Sequence, residues 1–361
     1  MAERVGVVGG GALGLTAAVE LADRGAAVTL FERDELGGGA TGLAAGLCYD
    51  AYAGKRDAAI AADSLDRFRE LDVLTECPYL WFARDEETAA ALESQARRMR
   101  EIGREVSVLD PPAVAARFPA LSTDDILTAA VAENAGYLDT SLYVDAMAEK
   151  ARAAGVRLRI GSPAAVTREG IVRTRGNEYE FDSVLVAAGA HTEEILADAG
   201  VDLAVGLYRT QALTAGPVDG RVPMFYDATG EYYGRPTGSG VLAGDGSHRY
   251  PGEPGEYDTA ADDSFVADRL STLAERIEAD LSVRESWAGL CTATPDRDPL
   301  LGECAPGLYV ATGFCGHGFM RSPALGERIA IQILGGDGID AFDPTRFSGD
   351  ESIDLPLGIT D

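Results

Sequence analysis

The spacing of apolar residues changes rhythm several times along the chain. Val5 to Val8 is an unbroken apolar run that stops on a cluster of glycines and passes into LGLTAAVELADRG, where apolar positions recur at helical spacing until Gly25. A short continuous apolar run predicts a buried strand, and the 3.6-residue rhythm behind it predicts a helix. Val28 to Glu32 (VTLFE) predicts a second strand. Helical periodicity returns over Asp57 to Leu74 and Glu86 to Gly103, and the apolar run in CPYLWFARDE between them predicts a strand entering a new lobe. Pro111, Pro112 and Pro119 read as a connector. Strand, helix and strand then recur from Asn134 to Gly161, with Thr140 or Ser141 as helix cap and Gly155 as stop.

Glu180 to His191 (EFDSVLVAAGAH) is β-branched and apolar and ends in small residues, as a buried parallel strand does when its C-terminal end reaches a ligand. From Tyr208 to Trp287 the pattern becomes that of antiparallel strands joined by Gly and Pro turns, with a helix over Ala261 to Leu281. The last unit predicts a strand at Gly307 to Thr312, a glycine-rich loop at Gly313 to Phe319, and a helix from Ser322 with Pro323 in its first turn. From Asp337 the tail is polar and acidic, suited to surface packing or partial disorder. The chain has no internal repeat and no long low-complexity stretch.

The first strand, helix and strand carry the most specific chemistry. Gly9, Gly11 and Gly14 form a Gly-x-Gly-x-x-Gly turn, and Glu32 closes the second strand about twenty residues on. Gly9 permits the tight turn, Gly11 lets backbone approach a pyrophosphate, and Gly14 lets helix and strand pack closely. Ala12 and Leu13 begin a helix whose free N–H groups favour an anion, while Glu32 is placed to grip a ribose hydroxyl. A bare glycine turn is weak evidence; strand, loop, helix, strand and acid in register predict a nucleotide site. A second loop, Gly37 to Gly46, is rich in Gly and Ala, so backbone there can approach a flat ring or a phosphate.

The chain has 361 residues and an apolar fraction of 46%, enough for two packed lobes. Its net charge of -28, with Lys55 and Lys150 the only lysines, excludes a general affinity for nucleic acid or anionic lipid. Such mutual repulsion is tolerable where salt shortens the Debye length to about 3 Å, near 1 M, which points to a protein adapted to a multimolar-salt cytoplasm. Met1 to Arg4 leads straight into the glycine loop and the apolar run to Ala22 is interrupted by glycines and Glu20, so a cytoplasmic location without membrane or targeting segment is expected. Cys48, Cys77, Cys291, Cys304 and Cys315 form no CxxC pair and no metal-ligand spacing, so free thiols and no metal site are expected. With only His191, His248 and His317, a Ser-His-Asp hydrolase is disfavoured.

Four stretches taken together, VGVVGGGALG with FER, GGATGLAAG, DSVLVAAGAH, and WAGLCTATPDRDPLLG leading to GLYVATGFCGHGFMRSPALGE, resemble the FAD-dependent D-amino acid oxidase superfamily. The resemblance covers nearly the whole chain and is strongest to the branch of glycine oxidases, sarcosine oxidases and dehydrogenases. It implies an α/β fold in which a discontinuous Rossmann-like FAD-binding domain (residues 1–76, 136–206 and 287–361) carries an inserted antiparallel-sheet substrate domain (77–135 and 207–286). By the same resemblance Gly9, Gly11, Gly14 and Glu32 would hold pyrophosphate and ribose, with Arg33 reaching the adenosine end. Thr41, Ala45 and Gly46 would approach pyrophosphate and flavin, and Val166 would contact adenine through its backbone. Ala188 and Gly189 would line the cofactor, and Gly316, His317, Gly318 and Phe319 would lie by the pyrimidine edge of the flavin, under the dipole of the last helix.

The chain itself favours FAD over NAD: only one Gly-x-Gly-x-x-Gly directly follows an apolar strand run, and no cysteine pair is present to relay electrons, so a flavin would meet substrate directly. The implied reaction is hydride transfer from a carbon bearing an amine, leaving an imine that water hydrolyses. Substrates expected are an amino acid or an N-methyl or secondary amine, with oxygen or another carrier as electron acceptor. A hydroxy-acid or polyol dehydrogenase, or a flavin-binding subunit with partner subunits in a larger amine dehydrogenase, are the alternatives.

Departures from the family pattern concern the substrate. Cys291 stands where glycine oxidases place a carboxylate-binding arginine after WAGL, leaving Arg235 and Arg321 as candidate clamps. Met320 stands where oxygen-using sarcosine oxidases place a lysine, which favours a dehydrogenase. Gly289 occupies the position of the covalently attached cysteine of monomeric sarcosine oxidase, so non-covalent FAD is expected. His317 could hydrogen-bond near the flavin ring, and Tyr233 could face substrate unless strand alternation turns Tyr232 inward instead. Asp296 is expected to fix its turn, and no residue is assigned an acid-base role.

Overall fold

In the computed structural model, which describes residues 2–353 apart from 219, 221, 246, 247 and 350, two sheets form the framework. The first is six-stranded, in the order Leu300–Ala305, Leu308–Thr312, Ser183–Val186, Arg4–Val8, Ala27–Phe31, Arg157–Arg159. Its pairings are parallel except the edge hairpin of the two strands between 300 and 312. The central strand is apolar on both faces because both are covered. Val5 and Val7 pack with the helices Ala12–Asp23 and Gly318–Ile333, whereas Val8 packs with Phe31, Val166 and Val184 in the opposite layer.

The second sheet is nine-stranded and includes Tyr79–Ala83, Val106–Leu109, Thr128–Ala132, Gly206–Gly216, Met224–Asp227, Tyr232–Thr237, Gly240–Asp245 and Ser282–Ala293. Strand alternation gives it two different faces. Leu80, Phe82, Phe225 and Tyr232 point into a core closed by the helix Asp263–Ile277, through Phe265, Leu273 and Ile277. Tyr79, Trp81 and Met224 point the other way. The lobe expected to be antiparallel contains one parallel pairing, Tyr79–Ala83 with Met224–Asp227. Those strands come from the two separate pieces of the insertion, so no tight hairpin dictates their relative direction. A small sheet pairs Ala135–Tyr137 with Leu47–Tyr49 and Thr75–Glu76.

Several local expectations are corrected. The Pro-rich connector contains a helix, Pro111–Arg117, because Asp110 caps it by accepting from the Ala113 N–H at 2.9 Å and proline is tolerated in a first turn. Asp139, not Thr140 or Ser141, caps the helix Thr140–Ala153. The last helix starts at Gly318 rather than Ser322, which puts Pro323 inside it; Ser322 Oγ donates to the Gly318 carbonyl at 2.6 Å beside the missing N–H. The strand Ser282–Ala293 crosses the boundary expected at 286/287 and pairs with Gly206–Gly216 throughout. The acidic tail is anchored: Phe342 is fully buried, and Arg346 bonds both oxygens of Asp296 at 2.9 and 3.0 Å. Asp296 also accepts from the Asp298 N–H at 3.0 Å, so it fixes its turn as expected; the remainder of the tail, 354–361, lies outside the described residues.

Candidate active site

Gly9 adopts φ +112°, a left-handed conformation that favours glycine, and a Cβ there would lie 2.3 Å from the Ala187 carbonyl. The turn is thereby pressed against Ala187, Ala188 and the Gly189 that follows. Gly14 is equally tight, its Cβ position lying 2.0 Å from the Gly9 carbonyl. Gly11 is different: its only near neighbour is Thr41 Oγ1 at 3.1 Å, and a Cβ on Gly39 or Gly189 would meet nothing within 4 Å. These glycines leave open backbone where a ligand can approach, as a pyrophosphate requires. Ala12 donates its N–H to Thr41 Oγ1 at 3.0 Å, while Leu13 turns its side chain into the core. The helix has neither a side-chain cap from Gly11 nor an acid in its first turn, so its positive end is unopposed.

Glu32 accepts from the Gly10 N–H at 2.7 Å and from the Asp34 N–H at 2.9 Å, which fixes its carboxylate at the mouth of the turn. Arg33 is exposed and bridges to His191 Nε2 at 3.0 Å. Val166 is buried against Val8 and Phe31, so its side chain is spent on packing and its backbone alone is left for a ligand. Gly46 at φ +69° packs on Leu138, whose N–H donates to the Gly46 carbonyl at 3.0 Å.

The loop between Gly37 and Gly46 is held from the larger sheet. Trp287 Nε1 donates to the Leu43 carbonyl at 3.1 Å, and Arg235 Nε donates to the Ala45 carbonyl. Arg235 also donates to the Pro236 carbonyl at 2.8 Å and lies over the Tyr137 ring, 5.1 Å from its centroid. No carboxylate among the described residues pairs with it, and burial lowers its pKa. Arg321 is buried and committed, to Asp57 at 3.4 Å and to the carbonyls of Phe314 and His317. Of the two candidate clamps, one grips the loop and the other is ion-paired behind the site.

The start of the last helix forms the opposite wall. His317 is its N-cap residue, again without a side-chain cap or an acid in the first turn. Gly316 is accessible and meets only Tyr208 Oη, at 3.6 Å from its Cβ position. Phe319 directs its ring into the core, stacked on Phe68 at 5.6 Å, so beside Gly318 it has only backbone to offer a cofactor. The two uncapped helices cross closely because Gly326 lacks a side chain; its Cβ would lie 2.5 Å from Thr16 Cβ. Both positive ends thus belong to one packed helix pair, which suits a ligand with negative charge at two places.

Between this wall and the sheet lie aromatic residues that the motif reading missed. Tyr49 Oη meets His317 Nε2 at 3.2 Å, and its ring stacks on Tyr52 at 5.4 Å and meets Trp81 edge-on at 5.7 Å. Tyr52 donates to Met320 Sδ at 3.5 Å. Tyr233 shares its strand face with Arg235, whereas Tyr232 is packed against Phe225 on the other face, which resolves the alternation. Tyr49, Tyr52, Tyr233, Cys291 and His317 are half-buried, so each keeps some accessible surface. Burial pushes the Tyr49 hydroxyl up to about 12 and the Cys291 thiol up to about 11, and raises Tyr52 and Tyr233 as well. Burial, reinforced by Arg321, pulls His317 down to about 4, so these five side chains are uncharged at neutral pH. The cluster CYDAY directly after the Gly-Ala loop was the available signal for Tyr49 and Tyr52; Trp81 gave none.

No disulfide joins the five cysteines, and no group of metal-ligating side chains occurs among the described residues. No helix among the described residues is long and apolar enough to cross a membrane.

Comparison with known proteins matches this architecture. The chain is 28% identical to the glycine oxidase of Pseudomonas aeruginosa over 369 residues, covering 96% of this chain and 99% of that one. It is 27% identical to FAD-dependent oxidoreductase domain-containing protein 1 of Xenopus laevis, but spans only 60% of that protein's length. The crystal structure of L-proline dehydrogenase from P. horikoshii superposes with a TM-score of 0.88 at 26% identity, covering 96% of this chain and 97% of that one. Residues 4–331 match the DAO family, FAD dependent oxidoreductase, and the chain belongs to that family.

Proposed function

We propose that the protein oxidises the C–N bond of an amine or amino acid, binding its substrate between the aromatic face of the larger sheet and the start of the last helix. The observation that carries this reading is the set of deep but accessible side chains, Tyr49, Tyr52, Tyr233 and His317, next to an uncapped helix end in a chain of the DAO family. The relatives named glycine oxidase and L-proline dehydrogenase support an amine as the reacting group.

FAD, when bound, supplies the hydride acceptor. Gly11, Ala12 and Thr41 would hold its pyrophosphate, Glu32 its ribose, and the N–H groups at Gly318 and Phe319 the electron-rich edge of the ring. The aromatic walls keep water from the substrate carbon and orient it. Burial and Arg321 keep His317 neutral, and its Nε2 lies at the Tyr49 hydroxyl, so the imidazole can accept a hydrogen bond but carries no charge at neutral pH. The imine left on the substrate is hydrolysed by water.

Attachment of FAD is non-covalent in this reading, because Cys48, Cys291 and Cys315 are pushed up by burial and are protonated at neutral pH. The electron acceptor is a carrier other than oxygen, since neutral Met320 offers no positive charge at the helix start. Anaerobic addition of sarcosine, dimethylglycine, proline, glycine, D-amino acids, simple alkylamines and hydroxy acids tests the assignment. Bleaching of the flavin absorption by an amine supports it; bleaching by hydroxy acids alone refutes it. Release of the flavin into the supernatant on acid precipitation checks the mode of attachment.

A further inference from the structure

The walls of the proposed substrate cavity are uncharged, and the charged side chains behind them are already committed. Arg321 is shared among Asp57 and two carbonyls, and Asp57 is shared in turn with Arg56 at 3.1 Å. Arg235 is turned onto the Ala45 and Pro236 carbonyls and the Tyr137 ring. Cys291 lies 4.0 Å from Thr210 Oγ1 on the sheet side, and Met320 faces Tyr52. What the cavity presents instead is ring surface, from Tyr49, Tyr52, Trp81 and Tyr233, in a chain with only two tryptophans and 7% aromatic residues.

Aromatic faces are negative and attract cations, most strongly where water is excluded. A carboxylate in the same place loses its hydration and gains no cation in return, which is costly. We propose, building on the amine reading above, that this cavity receives the alkylated nitrogen end of an amine bearing no carboxylate next to that nitrogen, held by ring faces rather than by a counter-ion. The hydroxyls stay protonated, since burial raises Tyr52 and Tyr233 as well as Tyr49, so no anion forms there to draw in an arginine or lysine side chain.

The test is equilibrium titration of the purified flavin-loaded protein, followed by tryptophan fluorescence and flavin absorption. Two probes share a quaternary ammonium and differ by a carboxylate: tetramethylammonium and trimethylglycine. Neither is turned over, because a quaternary nitrogen has no lone pair to support loss of a hydride from its neighbouring carbon. Tetramethylammonium is expected to bind at least about tenfold more tightly than trimethylglycine. Tyr49→Leu is expected to weaken tetramethylammonium about tenfold and remove the difference, whereas Tyr49→Phe, which keeps the ring, holds it within about threefold. Flavin retained by each variant shows that it is folded. Tighter or equal binding of trimethylglycine overturns the proposal, as does failure of both probes to bind. Bleaching by carboxylate-bearing amino acids alone overturns it while leaving the amine reading intact; a flavin that no amine perturbs removes the amine reading itself.

Discussion

The indole N–H of Trp287 donates to the carbonyl of Leu43 at 3.1 Å, joining the nine-stranded sheet to the glycine-rich loop beside the first helix. Two residues further along that loop, the Ala45 carbonyl is held by Arg235 from the same sheet. The loop is therefore held in shape by side chains of the larger sheet.

Trp287→Phe keeps the apolar bulk and removes the N–H, leaving the Leu43 carbonyl without that partner. A hydrogen bond of about 1 kcal/mol corresponds to roughly a fivefold weaker FAD affinity. Arg235→Leu is expected to weaken FAD further, since it also removes a buried cation from above Tyr137. Flavin retained after gel filtration at several protein concentrations reads both effects.

Gly11 and Gly14 belong to one motif but are expected to fail differently. Gly14→Ala forces a methyl group to 2.0 Å from the Gly9 carbonyl, so the thermal midpoint falls even without cofactor. Gly11→Ala meets only the Thr41 hydroxyl, so the apoprotein keeps its midpoint and FAD retention is lost. Differential scanning fluorimetry with and without added FAD distinguishes the two.

The part of the fold that repeats the βαβ rhythm was readable because parallel strands covered on both faces must be apolar throughout, as Val5 to Val8 and Ser183 to Val186 are. The same logic misplaced the start of the last helix: Pro323 looked like a first-turn residue, yet the helix runs back to Gly318. Placement of Gly11 and Glu32 around one turn was also readable from spacing, whereas Thr41 entered only through the family resemblance. Tyr49, Trp81 and Tyr233 were brought together by pairings between distant strands and a loop, and no local pattern records such a meeting. Arg235 was readable as a candidate carboxylate clamp, but its hold on Ala45 depends on a contact 190 residues away.

His317 is expected to leave a mark on acid stability. Burial, with Arg321 nearby, lowers its pKa from 6.5 to about 4. Between those values the unfolded chain binds a proton that the folded chain refuses, so stability falls as the pH drops from 6.5 towards 4 and is unaffected by this group above 6.5. The contribution is about 3 kcal/mol at most. His317→Gln flattens the slope of urea midpoint against pH in that window.

The charge of -28 predicts a protein that needs screening. Its melting temperature is expected to rise from about 0.1 M to about 3 M KCl, because the Debye length contracts from about 10 Å to a few Å. A midpoint that is flat or falls with salt contradicts adaptation to a saline interior.

The crossing of the first and last helices at Thr16 and Gly326 ties the two ends of the chain to each other. A side chain at 326 would run into Thr16 in the helix that follows the glycine turn. The two positions can therefore change only together, so the turn is constrained from the far end of the sequence by a residue outside its motif.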